Sequence, residues 1–387
     1  MNLQVSNLKG FTVATIQTAK LLPCFSIFQP SGSSSDPQDF PGLKHLSEHL
    51  LFRGPNKDKL YHEYDKLAIT CNAHTSKEHM FIQSTCLPKF FNYTIKSLCD
   101  LYFRPCFKQE DTSAELAVVK EESKQLAHNS RESLLNSVEN AVLPKAFKNS
   151  IIGDLEKLKN VNATNVIDFH LNSIKSTPPV FICIGDKSHE EVVRILSECL
   201  SNDHESIVKT EENVKNLDQN LLEFPSVDKS ISLPASSELK SVLATLGPSW
   251  NSQEYSIIKS IMTSYNERSR DGSQLFYHPF RNFGGIFGLL FSENISRDEA
   301  ILRFKSVLKG LSSNKGVKII NSAIRNDRFQ VCDDSVALSE AVGRHLCFGS
   351  ENHVFQSNFD LKNRDLKKYV QNLAQKFPNN HVYIKAE

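Results

Sequence analysis

The chain of 387 residues contains no run of about 18 apolar residues, so no membrane-spanning helix is expected. It also lacks an excess of charge: 45 basic against 44 acidic residues leave a net +1. That balance gives no reason to expect nucleic acid or a membrane surface as a partner. Nine cysteines are present, but no two form a C-x-x-C pair. Their odd number and mostly apolar surroundings read as buried free thiols in a reducing compartment. The first residues, Met1-Asn2-Leu3-Gln4-Val5, read directly into a strand. They show neither a signal-peptide core nor an Arg-rich amphipathic presequence, so any organelle address is expected to be short, internal or absent.

What remains is an ordinary globular composition, 40% hydrophobic and 23% charged, in a chain long enough for about two or three domains. Strand-like runs at residues 11–16 and 24–28 precede a polar loop and a short helix. A second helix near 61–68 leads to two more strands, 71–76 and 80–85, and then to helical patterns over 87–102, 110–128 and 131–144. Another helix, 161–174, stops at Pro178-Pro179. The continuous apolar run Val180-Phe181-Ile182-Cys183-Ile184 reads as a buried strand. The stretch 201–218 is rich in Asn, Asp, Glu and Lys, a linker composition. Beyond it the order returns: a strand at 242–246, a helix near 253–265, a Gly-rich strand at 284–291, further helices and a last strand at 381–384. The expected organisation is a domain over 1–204, a linker over 205–225 and a related second domain over 226–387. The expected class is α+β.

The strongest local signal is His45-Leu46-Ser47-Glu48-His49, an H-x-x-E-H pattern inside an otherwise apolar run. It reverses the commoner H-E-x-x-H order of zinc proteases. Residues i and i+4 share a helix face with i+3 beside them. His45 and His49 are therefore candidate ligands for one Zn²⁺, with Glu48 placed to reach a water. Two imidazoles, a carboxylate and an open position describe a catalytic rather than a closed structural zinc site. The same spacing also arises on an ordinary amphipathic helix. Pro41-Gly42 before the motif and Gly54 after it bound one short helix.

A third ligand must come from elsewhere. Glu115 and Glu122 lie two helical turns apart on one face, while Glu121 points about 100° away from Glu122. Either of the facing pair can ligate, leaving the other to orient a histidine or water. A solvated charged helix is the alternative. The remaining histidines, including His74, His79 and His278, read as surface or strand residues rather than ligands.

Taken together, residues 42–54, the segment Asn72-Ala73-His74-Thr75-Ser76-Lys77-Glu78 and the pair Glu115 and Glu122 resemble the pitrilysin-type metallopeptidases. That family includes insulin-degrading enzyme and mitochondrial processing peptidase, and the resemblance is nearest to the beta subunits of the latter. It implies zinc on His45, His49 and Glu122, with Glu48 as general base and Glu115 supporting the site. It also implies an extended peptide along Asn72, Ala73 and His74, and an aromatic wall at Phe52. Glu132 matches one carboxylate that receives an arginine two residues before the cut, but the companion Asp is here Asn136. A substrate-holding Tyr is replaced near Phe280, with Arg281 beside it. No Gly-rich loop of the alpha-subunit kind is present.

The implied fold is two similar halves, each a mainly antiparallel sheet with helices on one face, enclosing a substrate cavity. The implied activity is zinc-dependent removal of targeting presequences in the mitochondrial matrix or a reduced, mitochondrion-derived organelle such as a mitosome or hydrogenosome. Partners would be the presequence and an alpha subunit in a heterodimer, or the chain would work alone or as a homodimer. The alternatives are a broad oligopeptidase and a non-catalytic structural subunit on the same fold.

Overall fold

The computed structural model describes residues 2–55, 57–200, 226–234, 236–252, 254–281, 283–355, 363–376 and 381–387. The expected linker, 205–225, lies outside the described residues. Eleven strands are described: β1 Leu3–Leu8, β2 Phe11–Gln17, β3 Cys24–Gln29, β4 Thr70–Thr75, β5 Met80–Thr85, β6 Val180–Gly185, β7 Val227–Ile231, β8 Ser241–Gly247, β9 Gln274–Phe280, β10 Gly284–Phe291 and β11 Val382–Ala386. They form two sheets, ordered β1-β2-β6-β3-β5-β4 and β7-β11-β8-β10-β9. Every neighbouring pair in the first sheet is antiparallel except β2–β6. In the second sheet only β7–β11 is parallel. The two-sheet α+β architecture expected from the sequence is therefore observed.

Local chemistry explains the strands. In the first hairpin Leu8 faces Phe11 across a two-residue turn in which Lys9 and Gly10 both take positive φ. Such a turn matches the natural twist of paired strands. β3 and β6 are mostly apolar, and all six residues of each are buried, as central strands covered on both sides must be.

The chain divides into two compact units that are not continuous in sequence. The first takes the described residues of Met1–Glu122, Asn149–Lys215 and Val331–Cys347. The second takes those of Ser123–Lys148, Asn216–Gln330 and Phe348–Glu387. In the first unit, helices α1 Leu43–Leu51, α2 Lys57–Leu67 and α3 Phe91–Phe103 are followed by most of α4 Gln109–Ala127. α3 buries Phe91, Ile95, Leu98, Cys99 and Tyr102, an apolar stripe at helical spacing. The stripe packs on Phe25, Ile27 and Phe181 of the sheet, and Phe11 meets Phe103 edge-on at 5.6 Å and Phe181 at a tilt at 5.3 Å.

The opposite face of the first sheet is also covered. Helix Ser335–Phe348, from late in the chain, sets Gly343 against the Phe28 ring and Ser339 against Cys24. The second unit repeats this arrangement. One face of its sheet packs Leu243, Leu275, Phe287 and Leu289 against helices of the second half. The other face packs Val242, Ala244, Phe276 and Ile286 against Leu134, Leu135 and Val138 of α5 Ser130–Val142. Helices on one face account for only part of the covering. Consecutive residues of β8, Val242 and Leu243, are both fully buried, so each sheet face requires its own apolar lid. Among the described residues, no helix is long and apolar enough to cross a membrane.

Candidate active site

The H-x-x-E-H pentapeptide occupies the middle of α1. The helix starts where Gly42, at φ +94°, turns the chain, and a Cβ there would meet the Ile152 carbonyl oxygen at 2.1 Å. Gly42 carries no side chain to cap the helix. Asp36 does so from the preceding loop, its two carboxylate oxygens accepting from the N–H groups of Gly42 and Lys44 at 2.7 and 2.8 Å. An acceptor of this kind satisfies donors that the first turn leaves open. Burial pushes the Asp36 carboxyl up to about 7, against these hydrogen bonds.

Two residues past Gly42, Lys44 is fully buried, its Nζ donating to Gln29 Oε1 at 2.5 Å and Ser173 Oγ at 3.1 Å. Burial brings its pKa down to about 7. It ties α1 to β3 and to the helix Ala163–Ser176.

The helix face so fixed carries the motif. The His45 and His49 rings lie 4.6 Å apart between centroids, at 65°. Nε2 of each is 3.7 Å from Oε2 of Glu122 on α4. That separation is too long for a hydrogen bond. It is close to the spacing of about 3.4 Å between donors that share one ion tetrahedrally at about 2.0–2.1 Å. The three donor atoms lie within 4.8 Å of one another. The residues therefore fit a zinc ion in kind, number and spacing. Burial, with His49 adding to it, drives the His45 pKa down to about 4, so the imidazole is neutral and keeps the lone pair that a metal takes.

Glu115, two turns before Glu122, is buried to 2% exposure. Its Oε2 is 3.0 Å from His49 Nδ1, and its other oxygen pairs with Arg53. Burial alone would push the carboxyl up, but His49 and Arg53 outweigh it and hold Glu115 below the usual carboxylate range. The hydrogen bond that His49 donates to Glu115 is in turn the main reason the His49 pKa is raised. A carboxylate behind a ligating histidine fixes the ring and its tautomer.

Glu48 is also buried, and Oε2 accepts from Thr75 Oγ1 of β4 at 2.7 Å. Burial raises its pKa, with the Thr75 bond opposing. This is the condition of a carboxylate suited to taking and returning a proton.

Of the sequence-derived candidates, the structure brings His45, Glu48, His49, Glu115 and Glu122 together. Phe52 caps the end of α1 and packs partly against the first core. Asn72, Ala73 and His74 lie on β4, the end strand of the first sheet; Asn72 and His74 are exposed and Ala73 is half-buried. Glu132 and Asn136 lie one turn apart on α5, both half-buried. Phe280 is a correction. It is buried to 3% between Phe147 and Phe283, a side chain of the second unit's core rather than a wall for substrate. Alternation along β9 puts Phe276 and Phe280 on the same inward face. Arg281, just past the strand, sets its guanidinium over the Phe348 ring at 5.8 Å. Asp36, Lys44, Arg53 and Thr75 escaped the sequence reading. Only Arg53, one turn after His49, carried a local signal in its spacing.

Residues 24–155 match the model of the family described as insulinase, peptidase family M16. That stretch is similar to a peptidase M16 domain. The chain is 23% identical over 190 residues to the mitochondrial-processing peptidase subunit beta of Caenorhabditis elegans, a stretch that covers 48% of this chain and 42% of that protein. The chain thus spans about two fifths of the length of the first curated relatives it matches. Among solved structures, a protease from Helicobacter pylori superposes with a TM-score of 0.82 at 15% identity, covering 99% of both chains. A peptidase M16 inactive domain from Pseudomonas fluorescens gives 0.79 at 14% identity, covering 100% of this chain and 98% of that one. These likenesses show that the two-sheet fold is shared.

Proposed function

We propose that this chain is a zinc-dependent endopeptidase that removes N-terminal targeting segments from proteins imported into a mitochondrion or an organelle derived from one. The observation that carries the reading is the convergence of His45, Glu48, His49 and Glu122, with Glu115 behind His49. The distant likeness to mitochondrial-processing peptidase subunits supports the substrate class and the compartment. Zinc would be held by Nε2 of His45, Nε2 of His49 and Oε2 of Glu122. When bound, zinc polarises the scissile carbonyl and acidifies the attacking water.

The chain's own residues supply the rest. Glu48, held by Thr75, takes the proton from the attacking water and later gives it to the leaving amine. Glu115 and Arg53 keep the His49 ring in place. β4 has one neighbour in its sheet, so its outer edge can accept an extended peptide through main-chain hydrogen bonds, with Asn72, Ala73 and His74 along it and Phe52 near the cut. Glu132 would pair with an arginine two residues before the cut. Because Asn136 stands where a second carboxylate would add a charge-assisted bond, a broader oligopeptidase is the reading to set against this one.

The test is cleavage of a peptide library by the zinc-loaded protein. The expected result is one cut per presequence, enrichment of arginine two residues before it, and loss of turnover in Glu48→Gln with zinc retained. Equal cleavage of unrelated short peptides identifies an oligopeptidase, and turnover undiminished in Glu48→Gln removes the general-base assignment. The native mass of the active species distinguishes a heterodimer with an alpha-type subunit from a chain acting alone or as a homodimer.

A further inference from the structure

We propose a second zinc site in the first unit, formed by His74, His79 and Glu340. Sequence reading treats both histidines as surface or strand residues, but His79 is buried and the three side chains converge from separate elements. His74 lies on β4, on the face opposite Thr75; His79 closes the turn into β5; Glu340 comes from helix Ser335–Phe348. Nε2 of His74 is 3.5 Å and Nε2 of His79 is 3.6 Å from the same oxygen, Oε1 of Glu340. The corresponding separations in the first cluster are both 3.7 Å. As there, all donor atoms lie within 4.8 Å of one another. Two imidazoles and one carboxylate at this spacing leave a position for water and suit zinc or a cation of similar ligand preference.

The donors are held by their surroundings. Ser76 Oγ lies 2.8 Å from His79 Nδ1, and the His79 ring stacks on Phe28 at 4.8 Å and 16°. Nε2 is thereby turned toward Glu340. A partner on the far nitrogen is the usual device for orienting a ligating histidine. Glu340 is fixed because its helix is seated on the sheet through Gly343 on Phe28 and Ser339 on Cys24. Burial favours neutral His79. For Glu340, burial opposes ionisation, but Arg344 and the two imidazoles outweigh it and keep the carboxylate charged.

Arg344 also contacts Oε1 of Glu340, at 2.5 Å. Its positive charge opposes an added cation, so this site binds zinc more weakly than the first and gives it up first to a chelator. Bound metal would clamp helix Ser335–Phe348 to the β4–β5 hairpin.

The proposal is independent of the peptidase reading, and metal content tests the two separately. The full chain is saturated with zinc, freed of excess and assayed by elemental analysis. We expect two equivalents in the unaltered protein, one in a His45→Ala/His49→Ala variant, and none when Glu340→Gln is added. His74→Gln, at a side chain 48% exposed, repeats the Glu340→Gln loss without disturbing the core, and thermal melting reports folding. Cobalt(II) loaded into the His45→Ala/His49→Ala variant should give the visible absorption of a tetrahedral site. One equivalent that is kept in His45→Ala/His49→Ala and lost with Glu340→Gln sustains this site even if the first cluster binds nothing. A protein that binds no zinc at all in His45→Ala/His49→Ala, or an equivalent that in the His45→Ala/His49→Ala background survives both Glu340→Gln and His74→Gln, overturns it.

Discussion

Replacing Glu115 separates a role in holding zinc from a role in holding the fold. Its carboxylate is almost fully buried and reaches the proposed zinc ligands through His49 Nδ1, at 3.0 Å. Glu115→Gln can keep an acceptor there but removes the charge. A charge-assisted hydrogen bond contributes about 1.5–3 kcal/mol and a neutral one about 0.5–1.5, so the loss is about 1–1.5 kcal/mol. That is about tenfold in zinc affinity. Glu115→Ala removes the bond altogether and takes the partner from the ring nitrogen of half-buried His49, for about 2–3 kcal/mol and about a hundredfold. The assay is competition with a chromophoric chelator, repeated across pH. Protons compete with zinc for His49, whose pKa Glu115 raises. In both variants the fall of zinc affinity on acidification should therefore begin at lower pH than in the unaltered protein. A residue that merely stabilised α4 would weaken binding without moving that limb. Affinities within twofold of the unaltered protein, with the limb in place, would refute the reasoning.

Thr75→Val removes the hydrogen bond that lowers the Glu48 pKa. The acid limb of kcat/KM should move to higher pH, with a loss of about tenfold at neutral pH, and an unmoved limb would show that Thr75 does not act on Glu48. Asp36→Ala takes the acceptor from two N–H groups at the start of α1; it should destabilise the protein by about 1–2 kcal/mol in urea titration and leave Asp36→Asn between the two. In zinc-free protein, His45 and His49 should act on stability in opposite directions. The His45 pKa falls from 6.5 to about 4 on folding, so its share of stability, on the order of 3 kcal/mol, is complete above about pH 6.5 and is lost as pH falls towards 4. The His49 pKa is raised above 6.5, so its share is complete below pH 6.5 and is lost as pH rises through the folded value. Urea titrations from pH 4 to 8 should show the acid-side loss vanish in His45→Gln; an identical profile in that variant would exclude burial of neutral His45 as its cause.

Which of these groups could be read from the sequence depended on how far apart their partners lie in the chain. The motif helix was legible because His45, Glu48 and His49 share a face by their spacing alone, and α1 keeps that face. β3 was legible as a strand-like run and β6 as a continuous apolar one, and both are buried throughout. β7, with the sequence VDKSI, carries little apolar signal. It exists because β11, at the far end of the chain, pairs with it in parallel. Lys44 carries no signal in the sequence, yet Gln29 and Ser173 accept its hydrogen bonds in the interior. Glu340 and His79 are separated by most of the chain and meet because helix Ser335–Phe348 covers the first sheet rather than the second. The same exchange puts α5, with Glu132 and Asn136, on the second sheet. A chain folded as two consecutive blocks could tune either half alone. Here the helix that carries Glu122 runs on into the second unit, and the helix that carries Glu340 returns to the first, so the chemistry of the first sheet requires both halves to be synthesised and folded. Cleavage at the junction of the halves should therefore leave the N-terminal piece with an uncovered β3–β5 face and without Glu340, even though every residue of its H-x-x-E-H motif is intact.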